Sequence, residues 1–356
     1  MRRVEKKIRV LVVDDSPLAR RAIIDALATD PWIEVVGVAA DPYFARERIL
    51  ELEPDVITLD MEMPRMDGLT FLRILQEHHP VPVVVVSSLT TAGSELALQA
   101  LEAGAIEVLA KPDGSRSIGQ ISRELTHGVR AAAQSRSLAT RNQARTGAKA
   151  SASPPSARAG STSQCQMILI GASTGGVEAL RHLLPQLPAD TPPILVVQHI
   201  PASFSGIMAR HLDALCPYSV REAEDGDELQ RGLCLVAPGN FHLSVRPSGR
   251  GYSVRLGKTP PVHYCRPSVD VLFRSAAEIA GPHCVAVLLT GMGSDGARGM
   301  QLLRASGART LAEAEESCVV FGMPQAAINL GAAEQIVPLP QMADAIIRAA
   351  SQQGTK

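Results

Sequence analysis

Short unbroken runs of apolar residues, each followed by a helical pattern, constrain this chain more than any other feature. Val83-Val84-Val85-Val86 is the extreme case. A strand with one wet face alternates apolar and polar side chains, whereas an unbroken run needs apolar surroundings on both faces. In the first third of the chain the pattern predicts strands at 8–13, 34–38, 56–59, 83–86 and 105–109. Helices are expected at 17–28, 43–52, 68–77, 94–102 and 117–133. Five β–α units of this length imply a doubly wound α/β fold with a parallel sheet. The alternation resumes with strands at 167–170, 194–197 and 285–289, and helices at 176–184, 205–215 and 297–305. Between 218 and 256 short strands and turns read as an antiparallel insert.

Between the two blocks, residues 135–164 carry five basic side chains, no acidic one, and no hydrophobic period. Such a segment buries too little apolar area to offset its ordering entropy, so it reads as a flexible basic linker. The expected domains are 7–133 and 166–352, with the linker over 134–165. At 356 residues and 46% apolar composition both halves can build a core. A net charge of −1 and 3% aromatics argue against nucleic acid as a partner. No apolar run approaches the roughly 18–20 residues of a membrane span. The charged start, Met1-Arg2-Arg3-Val4-Glu5-Lys6-Lys7, lacks a signal-peptide pattern, so a cytoplasmic protein is expected. Six cysteines without a CxxC pair read as buried thiols rather than a zinc site or disulfide framework.

Chemistry-bearing residues gather at the expected strand ends. Asp14 and Asp15 end the first strand and Asp60 the third. Ser87 and Ser88 end the fourth, and Lys111 follows the fifth. Ligands of parallel α/β sheets sit outside these ends. Three carboxylates together suit a hard cation such as Mg²⁺. The cation would let Asp60 attack a phosphoryl group, with Lys111 and a serine hydroxyl contacting its oxygens. Alternatively Asp14 and Asp15 cap the next helix.

Val12-Val13-Asp14-Asp15-Ser16, Leu59-Asp60-Met61-Glu62-Met63-Pro64-Arg65-Met66-Asp67-Gly68 and Lys111-Pro112 resemble the signatures of response-regulator receiver domains. The resemblance implies a flavodoxin-like fold and phosphorylation of Asp60 by a histidine kinase. It implies Mg²⁺ held by Asp15, Asp60 and the Glu62 carbonyl, with Asp14 close by. Ser87 matches the switch hydroxyl and Lys111 the phosphate-contacting lysine. Leu109 stands where the family often has an aromatic switch residue.

In the second half, Gly171-Ala172-Ser173-Thr174-Gly175-Gly176 follows a strand and opens a helix. It contains G-x-S-x-G, which exposes a serine nucleophile in one setting, binds phosphate in another, and in a third is a packing turn. His199 follows the strand ending near Gln198. Asp295 lies in Thr290-Gly291-Met292-Gly293-Ser294-Asp295-Gly296-Ala297, where it is also a good helix cap. Together they supply a nucleophile, a base and an orienting acid. The order Ser, His, Asp differs from the Ser, Asp, His of α/β-hydrolases, so that scaffold is excluded.

These motifs, with Gln198-His199-Ile200-Pro201, Ala237-Pro238-Gly239, Arg266-Pro267-Ser268-Val269-Asp270-Val271-Leu272-Phe273 and Ser317-Cys318-Val319-Val320-Phe321-Gly322-Met323-Pro324, resemble the chemotaxis receptor methylesterases, CheB. The resemblance runs from about 166 to 350 and implies a Rossmann-like esterase. Its triad carries over onto Ser173, His199 and Asp295. Met292 N–H becomes an oxyanion donor and Thr174 an accessory residue. Ser294 stands where many members have Asn. The implied reaction is hydrolysis of glutamate 5-O-methyl esters on methyl-accepting chemoreceptors, and deamidation of receptor glutamines, with no cofactor for the esterase. Membrane association would then come only through the receptors. The family also implies that the unphosphorylated receiver covers the Ser173 cleft. A binding module would show a damaged triad, and a DNA-binding regulator a basic recognition helix; neither is seen.

Overall fold

Side-chain caps and prolines set the phase of the first unit. The computed structural model describes residues 6–87, 91–111, 118–143, 165–249 and 251–351. The chain divides into two compact units, 1–141 and 142–356. Unit one runs β1 (Ile8–Val13), α1 (Pro17–Leu27), β2 (Ile33–Ala39), α2 (Pro42–Leu52), β3 (Val56–Leu59), α3 (Gly68–His78), β4 (Val83–Ser87), α4 (Thr91–Glu102), β5 (Glu107–Ala110) and α5 (Ile118–Gln143). Ser16 caps α1 through Ala19 N–H with Pro17 in the first turn; Asp41 and Pro42 do the same for α2, and Asp67 caps α3. The cap of α1 is therefore Ser16, which leaves Asp14 and Asp15 without a capping role.

The strands form one parallel sheet in the order β2-β1-β3-β4-β5. Strands β3 and β4 are buried at every position, as unbroken apolar runs require. Val10, Val12, Val84 and Val86 pack on one face against Ile23 and Leu27 of α1 and Leu125 and Val129 of α5. The order reverses between β1 and β3, so the crevice at a parallel sheet's switch point opens beside Asp14 and Asp60.

Unit two runs β6 (Met167–Ala172), α6 (Gly176–Leu183), β7 (Ile194–Gln198), α7 (Ala202–Asp213), β8 (Ser219–Glu222), β9 (Leu233–Val236), β10 (His242–Ser248), β11 (Gly251–Gly257), α8 (Val269–Ile279), β12 (Cys284–Leu288), α9 (Ala297–Ala305), β13 (Arg309–Glu313), α10 (Met323–Asn329), β14 (Gln335–Val337) and α11 (Leu339–Ser351). Seven strands form a parallel sheet, β14-β13-β12-β6-β7-β9-β8. Here the switch lies at β6, with β7 on one side and β12 on the other. Phe273 of α8 and Met300 and Leu303 of α9 cover this sheet near Leu169, Leu195 and Leu288, all fully buried.

Two expectations change. The region 218–256 is not wholly antiparallel. β8 and β9 extend the parallel sheet, and only the β10–β11 hairpin is antiparallel. The short segment between β8 and β9 contains no crossover helix, which hides the parallel pairing from pattern reading. The expected linker also starts too early, because α5 continues to Gln143. No Gly or Pro interrupts 129–146, so nothing stops the helix near 133. At the other end Cys165 is already buried, its Sγ–H donating to Met167 O. Residues 144–164, and with them most of the expected linker, lie outside the described residues. No helix among the described residues is long and apolar enough to cross a membrane.

Candidate active site

Three loops following β6, β7 and β12 meet beside the sheet's switch point. Ser173 comes directly after β6, with its N–H bonded to Thr290 O at 3.0 Å. His199 comes directly after β7, its N–H bonded to Ala172 O at 3.1 Å. Asp295 lies in the turn between β12 and α9. His199 Nδ1 is 3.1 Å from Ser173 Oγ, and Nε2 is 2.8 Å from Asp295 Oδ2. A carboxylate can only accept, so Nε2 carries the proton and Nδ1 is left to accept the serine O–H. All three residues expected from sequence are thus joined in a Ser–His–Asp chain, on a scaffold unlike the α/β-hydrolases.

Asp295 accepts five hydrogen bonds. Oδ1 takes Ser268 Oγ–H (2.8 Å), Asp270 N–H (3.0 Å) and Gly296 N–H (3.0 Å). Oδ2 takes Val269 N–H (2.7 Å) besides the His199 ring. Burial pushes the carboxyl pKa up, but His199 and these donors outweigh it and hold it below the usual carboxylate range. The expected alternative, a cap of α9, describes only the Gly296 bond. The donors explain the Arg266–Phe273 motif, in which Ser268 serves as a buried donor to the triad carboxylate. His263, Asp270 and Asp295 also lie close enough to bind a metal. Asp270, however, is used by His263 Nε2 (3.0 Å) and Gly299 N–H (2.7 Å), and Asp295 is saturated.

Burial pulls the His199 pKa down, while the neighbouring Cys265 sulfur and the Asp295 carboxylate pull it up, with a net rise. Buried Gln198 donates Nε2–H to both Ser173 O (2.9 Å) and His199 O (3.0 Å), tying nucleophile and base together. Gly291 presses on the serine: a Cβ there would lie 2.7 Å from Ser173 Cβ and 2.5 Å from Met323 Sδ. Thr174 is buried, and its carbonyl accepts Thr290 Oγ1–H at 3.0 Å. Glu313, buried at the end of β13, accepts Thr290 N–H at 2.8 Å and so braces the Gly291 turn. Ser294 is exposed in that turn.

In the first unit, Lys111 Nζ lies 2.9 Å from Asp14 Oδ2 and 2.8 Å from Asp60 Oδ2. Asp15 completes a group whose ligand atoms all lie within 4.8 Å of one another. Two carboxylates are buried against one ammonium, and a third stands at the rim. That surplus of oxygen donors and negative charge fits a hard divalent cation. Burial raises the Asp60 pKa to about 6, Asp14 adds to the rise, and Lys111 opposes it. Glu62 N–H donates to Asp60 Oδ1 at 3.3 Å, and Ser87 is fully buried at the end of β4. Gly68 is required here, since a Cβ would lie 2.1 Å from Asp60 O. Ser88 and Pro112 lie outside the described residues.

The model of the CheB methylesterase family matches residues 168–346, and that of the response regulator receiver domain matches 10–122. The chain is 47% identical over 344 residues to a protein-glutamate methylesterase/protein-glutamine glutaminase of Syntrophus aciditrophicus, covering 96% of this chain and 99% of that one. The chain belongs to the CheB methylesterase family. A second member, from Anaeromyxobacter dehalogenans, is 52% identical over 350 residues, covering 96% of this chain and 97% of its own. The crystal structure of the Thermotoga maritima CheB methylesterase catalytic domain superposes with a TM-score of 0.51 at 38% identity. It covers 51% of this chain and 97% of that domain. Family membership and the Ser173–His199–Asp295 geometry fall on the same half of the chain.

Proposed function

We propose that the chain hydrolyses glutamate 5-O-methyl esters on methyl-accepting chemoreceptors, releasing methanol, and deamidates receptor glutamines, under control of a phosphorylated receiver. The hydrogen-bonded Ser173–His199–Asp295 chain in a methylesterase-family domain carries this reading. Ser173 Oγ attacks the γ-carbonyl while Nδ1 of His199 takes its proton. Asp295 holds the ring and balances the imidazolium that forms. Met292 N–H is the donor for the tetrahedral oxyanion, an interaction worth roughly 3–4 kcal/mol in other hydrolases. Thr174 helps to shape the same pocket. His199 then returns the proton to the departing methoxide, and water clears the acyl-enzyme by the reverse route. Deamidation is the same acyl transfer with ammonia leaving. None of these steps asks for a cofactor.

In the receiver, Asp60 is the phospho-acceptor and a histidine kinase the donor. Asp15, Asp60 and the Glu62 carbonyl would hold Mg²⁺, with Asp14 close by. The cation would neutralise charge on the incoming phosphoryl group. Lys111 and Ser87 then contact the phosphoryl oxygens. The domains are the receiver (7–133, with α5 running on), a basic tether, and the esterase (166–352). The protein acts in the cytoplasm and meets the membrane only through receptors.

The test is methanol release from methylated receptor, with and without a small phosphodonor plus Mg²⁺. Release is expected to rise with the phosphodonor, to vanish in Ser173→Ala, and to lose its phosphodonor response in Asp60→Asn. Folded protein that releases no methanol from several receptors would defeat the reading.

A further inference from the structure

The catalytic histidine has a neighbour that the esterase mechanism does not use. Cys265 Sγ lies 3.6 Å from His199 Nδ1, the nitrogen that faces Ser173. Tetrahedral zinc, with Zn–S about 2.3 Å and Zn–N about 2.1 Å, separates sulfur and nitrogen by roughly 3.6 Å. Ser173 Oγ, 3.1 Å from the same nitrogen, stands near the place of an oxygen ligand. The thiol is half-buried, as is that of Cys216, whereas Cys165, Cys234, Cys284 and Cys318 are buried.

The cysteine is held in place by a built turn. Val262 and Cys265 exchange backbone hydrogen bonds (3.1 and 2.8 Å) around His263 and Tyr264. Both central residues have positive φ, 51° and 62°, as in a type I′ turn, although neither is the Gly or Asn that such turns favour. His263 is pinned by Asp270 at 3.0 Å, and Tyr264 is 83% exposed. Arg266, on the other side, donates to Asn240 Oδ1.

We propose that Ser173, His199 and Cys265 form an inhibitory site for a thiophilic divalent cation, with His199 Nδ1 and Cys265 Sγ as its principal ligands. Binding takes the lone pair that must accept the serine proton, and releases the thiol proton to solvent. The cation and substrate hydrolysis are therefore mutually exclusive. This site is separate in chemistry from the all-oxygen site around Asp60, which favours hard cations.

The test uses the full-length protein in excess Mg²⁺, with Co²⁺ and Zn²⁺ as probes. Stoichiometric Co²⁺ is expected to give thiolate-to-cobalt charge-transfer absorption that Zn²⁺ displaces. Cobalt in the receiver's oxygen site gives no such band. The band should be lost in Cys265→Ser and weakened at least about tenfold in affinity in His199→Ala. This readout does not depend on the esterase reading. In the activity arm, which does rest on it, Zn²⁺ should stop methanol release, with recovery on chelation. Cys265→Ser, compared with its own metal-free rate, should need at least about tenfold more Zn²⁺. A band that persists in folded Cys265→Ser, no band in the parent protein, or equal zinc sensitivity of the two would overturn the proposal.

Discussion

At the residue scale, the triad's most telling member is Asp295. Four donors besides the imidazole fix its carboxylate, so the imidazole meets an oriented partner before substrate arrives. Asp295→Asn is expected to lower kcat about 10³–10⁴-fold with little change in KM, since it favours the wrong tautomer. The His199 pKa is raised, and only the neutral ring can act as base. Ester hydrolysis should therefore rise with pH along an acid limb displaced above the ordinary histidine value. The sign for stability is the reverse: the His199 contribution is present at low pH and lost as pH rises through its folded pKa. A pH–rate profile of kcat/KM would test this, and a limb at or below the ordinary value would contradict it. Ser268→Ala removes one donor to the buried carboxylate. It should lower kcat modestly and move the same limb upward, because a carboxylate with one donor fewer holds the imidazolium more tightly, a shift that a purely structural residue would not produce.

At the scale of elements, most of the architecture was legible and the exceptions have physical causes. Unbroken apolar strands announced both parallel sheets, whereas the cap of α1 is Ser16 rather than the Asp14 or Asp15 that the sequence offered. β8 and β9 were hidden because parallel strands usually imply a helix between them. The triad was legible because each member follows a strand. Cys265, Ser268 and Gln198 were not, because their roles depend on contacts across 25 to 66 residues of sequence. Helix α5 is tied to the turn between α1 and β2 by paired bonds from Arg130 to Asp30 at 2.6 and 2.7 Å, a clasp across 100 residues. Arg130 is the main cause of a lowered Asp30 pKa, with burial opposing. That stabilisation is present above the ordinary carboxylate pKa and lost as pH falls through the lower folded value. Arg130→Ala should cost the receiver about 1–2 kcal/mol near neutral pH, discounted for the exposed guanidinium, and nothing in strong acid. Thermal melts at both pH values would measure it.

On the scale of the whole molecule, the receiver keeps a destabilised acid at its centre. With Asp60 raised to about 6, the folded receiver binds that proton more tightly than the unfolded chain. The penalty is absent below about pH 4 and grows as pH rises through about 6, reaching roughly 3 kcal/mol. Asp60→Asn should therefore raise the receiver's melting temperature at pH 7.5 without Mg²⁺. The gap should close as Mg²⁺ is added, because the cation relieves the same repulsion in the parent protein. An unchanged or lowered melting temperature would show that burial of Asp60 carries no such cost.

The position of β12 beside β6 has a kinetic consequence. These strands pair directly, yet more than a hundred residues separate them, and Ser173 and Asp295 lie just past their ends. Helices such as α6 and α9 form from local contacts in microseconds, while closing so long a loop is slow. A refolding chain can therefore recover most of its circular dichroism while still unable to cleave an ester. The return of activity becomes a clock for the last strand to join the sheet.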